Sequence, residues 1–166
     1  MKKKSNLSVN PSNQPVCLWR HCTRIRKTFF FNYATMPAYT TDSANGDVYA
    51  NSFEFGVYLD QNTRMGVFNE QVSADGFNFN VNGISAEYDL LQQNQFATAV
   101  GVMMGNSSGA ATDGSVADIY GRFVLHASDN ANIHAKLAYR TASVTVPAGA
   151  NNMNGIGFSI GFGIGF

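Results

Sequence analysis

The sequence has 166 residues, a formal net charge of zero and only 13% charged residues. The length fits a single domain, and the absence of a basic excess excludes the nucleic-acid-binding class, which needs a positive field. Hydrophobic residues make up 45% of the chain, yet no run reaches the roughly 18 consecutive apolar residues of a transmembrane helix. The apolar residues are instead dispersed by alternation, as in transmembrane β-barrels.

The first 23 residues are polar and show no periodicity. We expect them to be a disordered or non-native segment ahead of a barrel domain at residues 24–166. Lys2 to Lys4 resemble the basic start of a secretory signal, but no apolar stretch of about 7–15 residues follows. Either this is not the natural start, or the segment is not part of the native chain, or the barrel prediction is wrong. Cys17 and Cys22 lie in the same segment, as a local disulfide or as incidental thiols.

Large apolar residues at every second position predict β-strands along the rest of the chain. In one such segment, Phe53 and Phe55 share a face while Ser52 and Glu54 share the other. The predicted strands are Arg24 to Met36, Asp47 to Leu59, Arg64 to Val72, Phe77 to Leu91, Gln95 to Met104, Val116 to Ala127, Asn132 to Val146 and Asn152 to Phe166. The first is included because a barrel with an even number of strands needs one before Asp47.

The third and fourth predicted strands carry mixed patterns. The facing of the third stays open, because Met65 and Val67 conflict with Phe68. The fourth changes phase, and we expect a β-bulge at Asn82 and Gly83 to produce the change. Its outward face is predicted to hold first Phe77, Phe79 and Val81, and then Ile84, Ala86, Tyr88 and Leu90.

The last strand shows the clearest alternation in the chain. Its large apolar residues are Ile156, Phe158, Ile160, Phe162, Ile164 and Phe166, and the residues between them are Gly157, Ser159, Gly161, Gly163 and Gly165. The apolar face has about the length of a tilted strand that crosses a bilayer, roughly 9–11 residues. A soluble sandwich would turn polar side chains toward water and not bare backbone. We therefore predict that the apolar face points outward to lipid and the small residues point into a lumen.

The connections between the predicted strands alternate in length. The longer ones are Ala38 to Gly46, Ser73 to Gly76, Gly105 to Ser115 and Pro147 to Asn151, and the tight ones are Asp60 to Asn62, Gln92 to Asn94 and Ser128 to Asn130. Outer-membrane barrels have short periplasmic turns and longer extracellular loops. The pattern predicts an all-β protein, an antiparallel up-and-down transmembrane β-barrel of eight strands with a periplasmic C-terminus.

The C-terminal residues carry a family resemblance. Phe162, Ile164 and Phe166 resemble the C-terminal assembly signal of bacterial outer-membrane barrels, and Asp47 to Phe166 as a whole resembles the OmpA-type transmembrane domain and the Ail/OmpX-like proteins. The resemblance implies a Gram-negative outer membrane, recognition by the barrel assembly machinery, and contact with outer-membrane lipids and lipopolysaccharide. It is architectural, and no motif selects one subfamily.

Charged residues on the predicted lumen faces are the nearest approach to a chemical site. They are Glu54, Glu87, Asp89, Asp118, Arg122, Lys136 and Arg140. An eight-stranded barrel has an interior only just wide enough for its side chains, and unpaired charges there are costly. We predict that carboxylates and basic groups pair in a filled lumen, and a narrow ion path is the alternative. We predict no catalytic, cofactor-binding or metal-ligating residue.

The predicted function is therefore a structural or surface-interaction role through short extracellular loops, with the surface ligand left open. A soluble lipocalin-like barrel is one alternative, in which the apolar face of every strand would surround an apolar ligand. The other is a hydrolase similar to lipid A deacylases. His126 and Ser128 match the first and third positions of that family's motif, but Asp129 stands where the family has Asn. The predicted topology also places both residues at the periplasmic end, so we expect no enzyme.

Overall fold

A computed structural model of the chain describes residues 27–41, 48–74, 77–93, 95–109, 113–146 and 149–166. The predicted disordered segment and the start of the predicted first strand lie outside these residues. No helix in the described ranges is long and apolar enough to cross a membrane. The described strands are β1 (Phe29–Thr41), β2 (Val48–Tyr58), β3 (Thr63–Ala74), β4 (Phe77–Gln92), β5 (Phe96–Ser108), β6 (Asp113–His126), β7 (Ala131–Val146), β8 (Gly149–Asn152) and β9 (Gly155–Gly165).

Eight of these strands close into one antiparallel barrel. From β1 to β7 each strand pairs with the next, and β9 closes the wall by pairing with both β7 and β1. The short strand β8 pairs with the end of β7. The predicted all-β, eight-stranded, up-and-down barrel is confirmed. The alternation found in the sequence reflects a wall with two different sides, because successive side chains of a strand point to opposite faces.

The two ends of the barrel differ. The tight connections after β2, β4 and β6 lie at the end that also holds the C-terminus, which we call the turn end, and the opposite end is the loop end. The strands run farther toward the loop end than predicted. β1 continues to Thr41 inside a predicted loop, and β5 and β6 pair as far as Ser107 and Gly114 inside another. Those loop predictions are wrong, because backbone pairing continues through polar residues that lack an apolar alternation.

The predicted bulge in the fourth strand is also wrong. β3 and β4 pair in one continuous register from Thr63↔Tyr88 to Ala74↔Phe77, and the register shift of β4 with β5 lies between Asp89 and Leu91. Phe79 and Val81 are therefore buried inside, whereas Ile84 is 58% exposed outside; the side chain of Phe77 lies outside the described part. The phase of the strand is constant, and what changes along it is the face that carries the large apolar side chains.

The same change accounts for the mixed pattern of β3. Met65 and Val67 are 42% and 58% exposed on the outside, while Phe68 and Val72 are buried inside. The structure thus contains both arrangements, with apolar residues on the outside near the turn end and on the inside near the loop end. The two sets conflict only if one side of the wall is assumed to be apolar along its whole length.

The outer surface carries a band of large apolar residues around the turn end. On β9 the six large residues from Ile156 to Phe166 are between 39% and 59% exposed, and the interior side of that strand is small. Gly161 leaves room for a neighbour, since a side chain there would come within 2.6 Å of Nε2 of His134. The soluble lipocalin-like alternative requires the opposite facing of β9 and is inconsistent with this arrangement.

Candidate functional site

The interior of the barrel changes character from one end to the other. From the middle of the barrel toward the loop end, buried apolar side chains of β1 to β7 and Met153 pack into one cluster, which we call the apolar plug. Its members are Met36, Tyr39, Val48, Ala50, Phe68, Val72, Phe79, Val81, Met103, Val116, Tyr120, Ala138, Ala142, Val144 and Met153. Toward the turn end, buried charged and polar side chains such as Glu87 and Arg122 join buried apolar ones such as Phe30 and Val124, and we call that compartment the ionic half.

One ion cluster lies within the plug and is centred on Arg140, which stands between the plug residues Ala138 and Ala142 on β7. Its Nε and Nη2 donate to the two carboxylate oxygens of Asp118, each at 2.8 Å, and its Nη2 also donates to Oε2 of Glu70 at 3.0 Å. All three residues are no more than 5% exposed. The guanidinium also lies 5.8 Å from the centre of the Tyr39 ring. Two carboxylates on one arginine give this cluster an excess of negative charge.

A second ion cluster is centred on Glu87. This carboxylate accepts hydrogen bonds from Arg64, from Nη2 of Arg122 at 2.6 Å, and from the Tyr120 hydroxyl at 3.1 Å. The Arg64 guanidinium lies 5.4 Å from the centre of the Phe30 ring. Two arginines on one carboxylate give this cluster an excess of positive charge, opposite in sign to that of the Arg140 cluster.

Two of the predicted network residues lie apart from these clusters. Lys136 has its Nζ 5.0 Å from the centre of the Tyr120 ring, and no carboxylate of the described residues lies within ion-pair distance of it. Asp89 lies near the turn end, where it accepts a hydrogen bond from Gln92 at 2.6 Å. The sequence therefore identified charges on the inner face, but the ion pairs form between only some of them.

Glu54 belongs to the interior without a salt bridge in the described part of the chain. Its carboxylate accepts hydrogen bonds from Nδ2 of Asn32 at 2.8 Å and from the hydroxyl of Ser85. Of the interior acidic side chains, Glu70, Glu87 and Asp118 are in salt bridges with arginines, whereas Glu54 is held by neutral donors.

Arg64 and Glu70 are the two interior charges that sequence reasoning missed. Both lie on β3, whose facing the pattern left open. A usable signal was present, because both residues share the parity of Phe68, and a charge on a membrane-crossing strand belongs in the lumen and not in lipid. Giving the charges more weight than the apolar residues would have settled the facing of this strand.

The outer surface near the loop end carries carboxamides in place of apolar residues. We call this surface the amide wall; it consists of Asn69, Gln71, Asn78, Asn80, Asn82 and Asn106 on β3, β4 and β5. Strand pairing sets Asn69 opposite Asn82 and Asn82 opposite Asn106. Nδ2 of Asn69 donates to Oδ1 of Asn82 at 2.8 Å, and Nδ2 of Asn82 donates to the Ser108 hydroxyl at 3.3 Å. Three neighbouring strands thus present one contiguous polar face.

The last connection of the chain closes over the plug. The Tyr39 hydroxyl donates to the carbonyl of Met153, and the backbone N–H of Met153 donates to the carbonyl of Ala142 at 2.8 Å. Oδ1 of Asn154 accepts from the N–H of Ala142 at 3.3 Å. These bonds fix Met153 in the plug, so the segment between β8 and β9 forms part of the interior packing.

The residues of the hydrolase motif lie at the turn end. His126 ends β6 and is partly buried. The Ser128 hydroxyl accepts hydrogen bonds from the N–H groups of Asn130 at 3.4 Å and Ala131 at 3.0 Å. The serine oxygen therefore has a local role in the turn between β6 and β7.

The three residues of the C-terminal signal lie on the outer surface. Phe162, Ile164 and Phe166 are 48%, 44% and 59% exposed. The carbonyl of Phe166 accepts from the N–H groups of Thr28 at 2.9 Å and Phe29 at 2.8 Å, and its own N–H donates to Phe29 at 3.0 Å. The end of the chain is thereby tied to the first strand at the seam that closes the barrel.

The outer band also contains a shallow apolar groove of about 380 Å³. It lies beside Gly121, where an added Cβ would meet nothing within 4 Å. Its lining is almost wholly apolar, from Val100, Ile119, Tyr120, Leu137, Ala138, Tyr139 and Ile156. With so little polar surface the groove has few groups for orienting a ligand, and it is continuous with the apolar band.

No protein-family model matches the sequence, and no curated protein matches it. Solved structures do share the fold. Neisserial surface protein A matches with a TM-score of 0.68 and 14% identity, over 83% of this chain and 96% of that one. The N-terminal β-barrel domain of Pseudomonas aeruginosa OprF matches with a TM-score of 0.59 and 14% identity, over 84% and 98%. The chain therefore has the fold of the small eight-stranded outer-membrane barrels.

Proposed function

We propose that this protein is a small outer-membrane β-barrel with a filled, non-conducting lumen, and that it has a structural or surface-interaction role at its loop end. The observation that carries this proposal is the reversal of polarity along single strands. On β4, Ile84 is outside and Glu87 inside near the turn end, whereas Asn80 is outside and Val81 inside near the loop end. A wall that passes from hydrocarbon into water accounts for a reversal on both of its faces.

The contents of the lumen support a barrel that does not conduct. The buried charges are paired or hydrogen-bonded, those of the Glu87 cluster toward the turn end and those of the Arg140 cluster within the apolar plug. Eight strands leave an interior about as wide as its side chains. An ion would have to break the buried pairs at Glu87 and Arg140 and pass the apolar side chains around Arg140.

Assembly by the outer-membrane machinery is part of the proposal. The candidate signal residues Phe162, Ile164 and Phe166 face outward on the strand that closes the barrel, where a helper protein has access to them before closure. Outer-membrane lipids and lipopolysaccharide are the proposed surroundings of the finished barrel. We propose no catalytic role, since the Ser128 hydroxyl already has backbone partners in its turn.

The decisive experiment compares folding with and without detergent. The chain is purified unfolded and diluted into detergent micelles or into plain buffer, and strand content and unheated gel mobility are measured. We expect a compact, heat-modifiable band in detergent only. Folding to a soluble monomer in buffer alone would contradict the proposal.

Conductance is measured separately in planar bilayers. We expect no steady ion current from the folded barrel. Regular single-channel openings would contradict the filled lumen while leaving the membrane location intact.

A further inference from the structure

The amide wall differs from an ordinary water-facing protein surface. Surfaces of soluble domains are about 25–35% charged, yet the outward side chains of β3, β4 and β5 beyond the apolar band include no charged residue in the described ranges. They are Asn69, Gln71, Ser73, Asn78, Asn80, Asn82, Asn106 and Ser108. Solubility alone does not account for a surface built almost entirely from carboxamides.

Most of these carboxamides have hydrogen-bonding capacity to spare. Gln71, Asn78, Asn80 and Asn106 make no side-chain hydrogen bond within the described part of the chain. Each carboxamide offers two N–H donors and one carbonyl acceptor. A ligand whose groups both donate and accept matches this surface, and sugar hydroxyls are such groups.

An aromatic ring borders the same face. Tyr49 on β2 is 52% exposed and lies opposite Ser73, which in turn lies opposite Asn78. Carboxamides for hydrogen bonding and an exposed ring for apolar contact together suit an uncharged saccharide. A phosphate or another anion would need basic residues, and the outward positions of the wall supply none in the described ranges.

The wall begins where the apolar band ends. Val67 and Asn69 are two positions apart on one face of β3, and the same step leads from Ile84 to Asn82 and from Met104 to Asn106. Two residues of a strand span about 7 Å. An amphiphile lying along the barrel would therefore contact apolar residues with its hydrocarbon and the carboxamides with its polar head, without bending.

We propose that the amide wall binds the uncharged sugars of a glycolipid in the surrounding leaflet, whose acyl chains lie against the apolar band below. This inference rests on the proposed membrane location. It identifies the face formed by β3, β4 and β5 as the binding surface, and not the connecting loops. The continuity from band to wall favours a sugar attached to lipid over a free saccharide.

The test uses the full chain folded in phospholipid nanodiscs, with native mass spectrometry as the readout. Three probes are compared: a diacylglycerol that carries an uncharged oligosaccharide, the same diacylglycerol without the sugar, and the free oligosaccharide. We expect the sugar-bearing lipid to bind more tightly than either of the others. The double substitution Asn80→Ala with Asn106→Ala is expected to weaken that binding about tenfold, which corresponds to about 1.4 kcal/mol.

A matched control uses two exposed polar residues elsewhere on the loop-end surface. Thr141→Ala with Ser143→Ala on β7 removes two side-chain hydroxyls outside the wall, and we expect no change in affinity. Equal binding of the sugar-bearing and stripped lipids overturns the inference, as does equal binding of the free oligosaccharide or an unaffected wall variant. Each of these results would contradict the glycolipid inference without contradicting the membrane location. The membrane location is contradicted by a different result, folding in plain buffer in the detergent experiment.

Discussion

The ionic half and the loop-end half of this barrel are built from the same strands but with opposite rules. In the ionic half the outside is apolar and the inside holds Glu87 and Arg122, whereas at the loop end the outside holds Asn80 and the inside holds Val81 and Val144. The backbone is continuous across the boundary. With the proposed membrane location, the side of the wall which must be apolar is set by what surrounds the barrel, hydrocarbon in one half and water in the other.

The largest expected effect comes from removing the central cation of the Arg140 cluster. Arg140→Met leaves the buried carboxylates of Glu70 and Asp118 without their partner, and breaking a buried ion pair costs about 3–5 kcal/mol. We expect a loss of that order in reversible urea unfolding from lipid vesicles. Lys136→Met is the matched control on the same strand, because that ammonium has no carboxylate at ion-pair distance in the described residues. Equal losses in the two variants would refute the special role of the cluster.

The two outer surfaces are compared by placing one charge on each. Val102 and Asn106 lie on the same face of β5, the first in the apolar band and the second in the amide wall. Val102→Arg is expected to destabilise the barrel by about 2–4 kcal/mol, the cost of a basic residue at mid-bilayer. Asn106→Arg is expected to change stability by less than about 0.5 kcal/mol, as for ordinary surface substitutions. Similar effects at both sites, measured by the same unfolding assay, would place the membrane boundary elsewhere.

Two buried serines sharpen the comparison of the interiors. The Ser85 hydroxyl donates to Glu54 in the ionic half, whereas the Ser107 hydroxyl, opposite Val81, has no hydrogen-bond partner among the described residues. Ser85→Ala is expected to cost about 1–3 kcal/mol, since a hydrogen bond to a carboxylate is lost. Ser107→Ala is expected to leave stability unchanged or raise it by about 1 kcal/mol. A stabilising Ser85→Ala or a strongly destabilising Ser107→Ala in thermal unfolding would reverse this assignment.

The smallest effect is expected at the turn end, where Asp60 organises the connection between β2 and β3. Its carboxylate accepts from the N–H groups of Asn62 and Thr63, both at 2.7 Å, and from the Thr63 hydroxyl at 2.9 Å. These hydrogen bonds favour the charged form and hold the pKa of Asp60 below its ordinary value of 3.8. The stabilisation is therefore present above that value and is lost as the pH falls through the lower pKa of the folded state.

The corresponding measurement compares Asp60→Asn with the original chain at pH 7 and in acid. We expect the variant to be slightly less stable at pH 7 and the difference to vanish in acid. Ser128→Ala is the control, because it removes a neutral acceptor from another turn and its effect should not depend on pH. A pH-independent Asp60→Asn effect would contradict the role of the charge.

Local pattern was sufficient for the closed eight-stranded barrel and the outward face of β9. The alternation of Phe158 and Phe162 with glycine has a single structural solution in a bilayer, because only one side of such a strand can meet hydrocarbon. Of the predicted network, Glu87, Asp118, Arg122 and Arg140 were placed by parity alone, and they lie in ion pairs. Parity follows from the chain itself, since successive side chains of any strand point to opposite faces.

The tertiary structure alone decided where the polarity reverses and which charges meet. In the sequence, Phe79 and Val81 were interpreted as a change of phase, because the pattern along one strand does not reveal which face is buried in each half of the barrel. The pairing of Arg140 with Glu70 joins residues 70 positions apart in the chain, and it depends on how barrel closure sets distant strands across one narrow lumen. Alternation along each strand thus determines which side chains face inward and which face outward. The closure of the barrel determines which inward side chains contact one another.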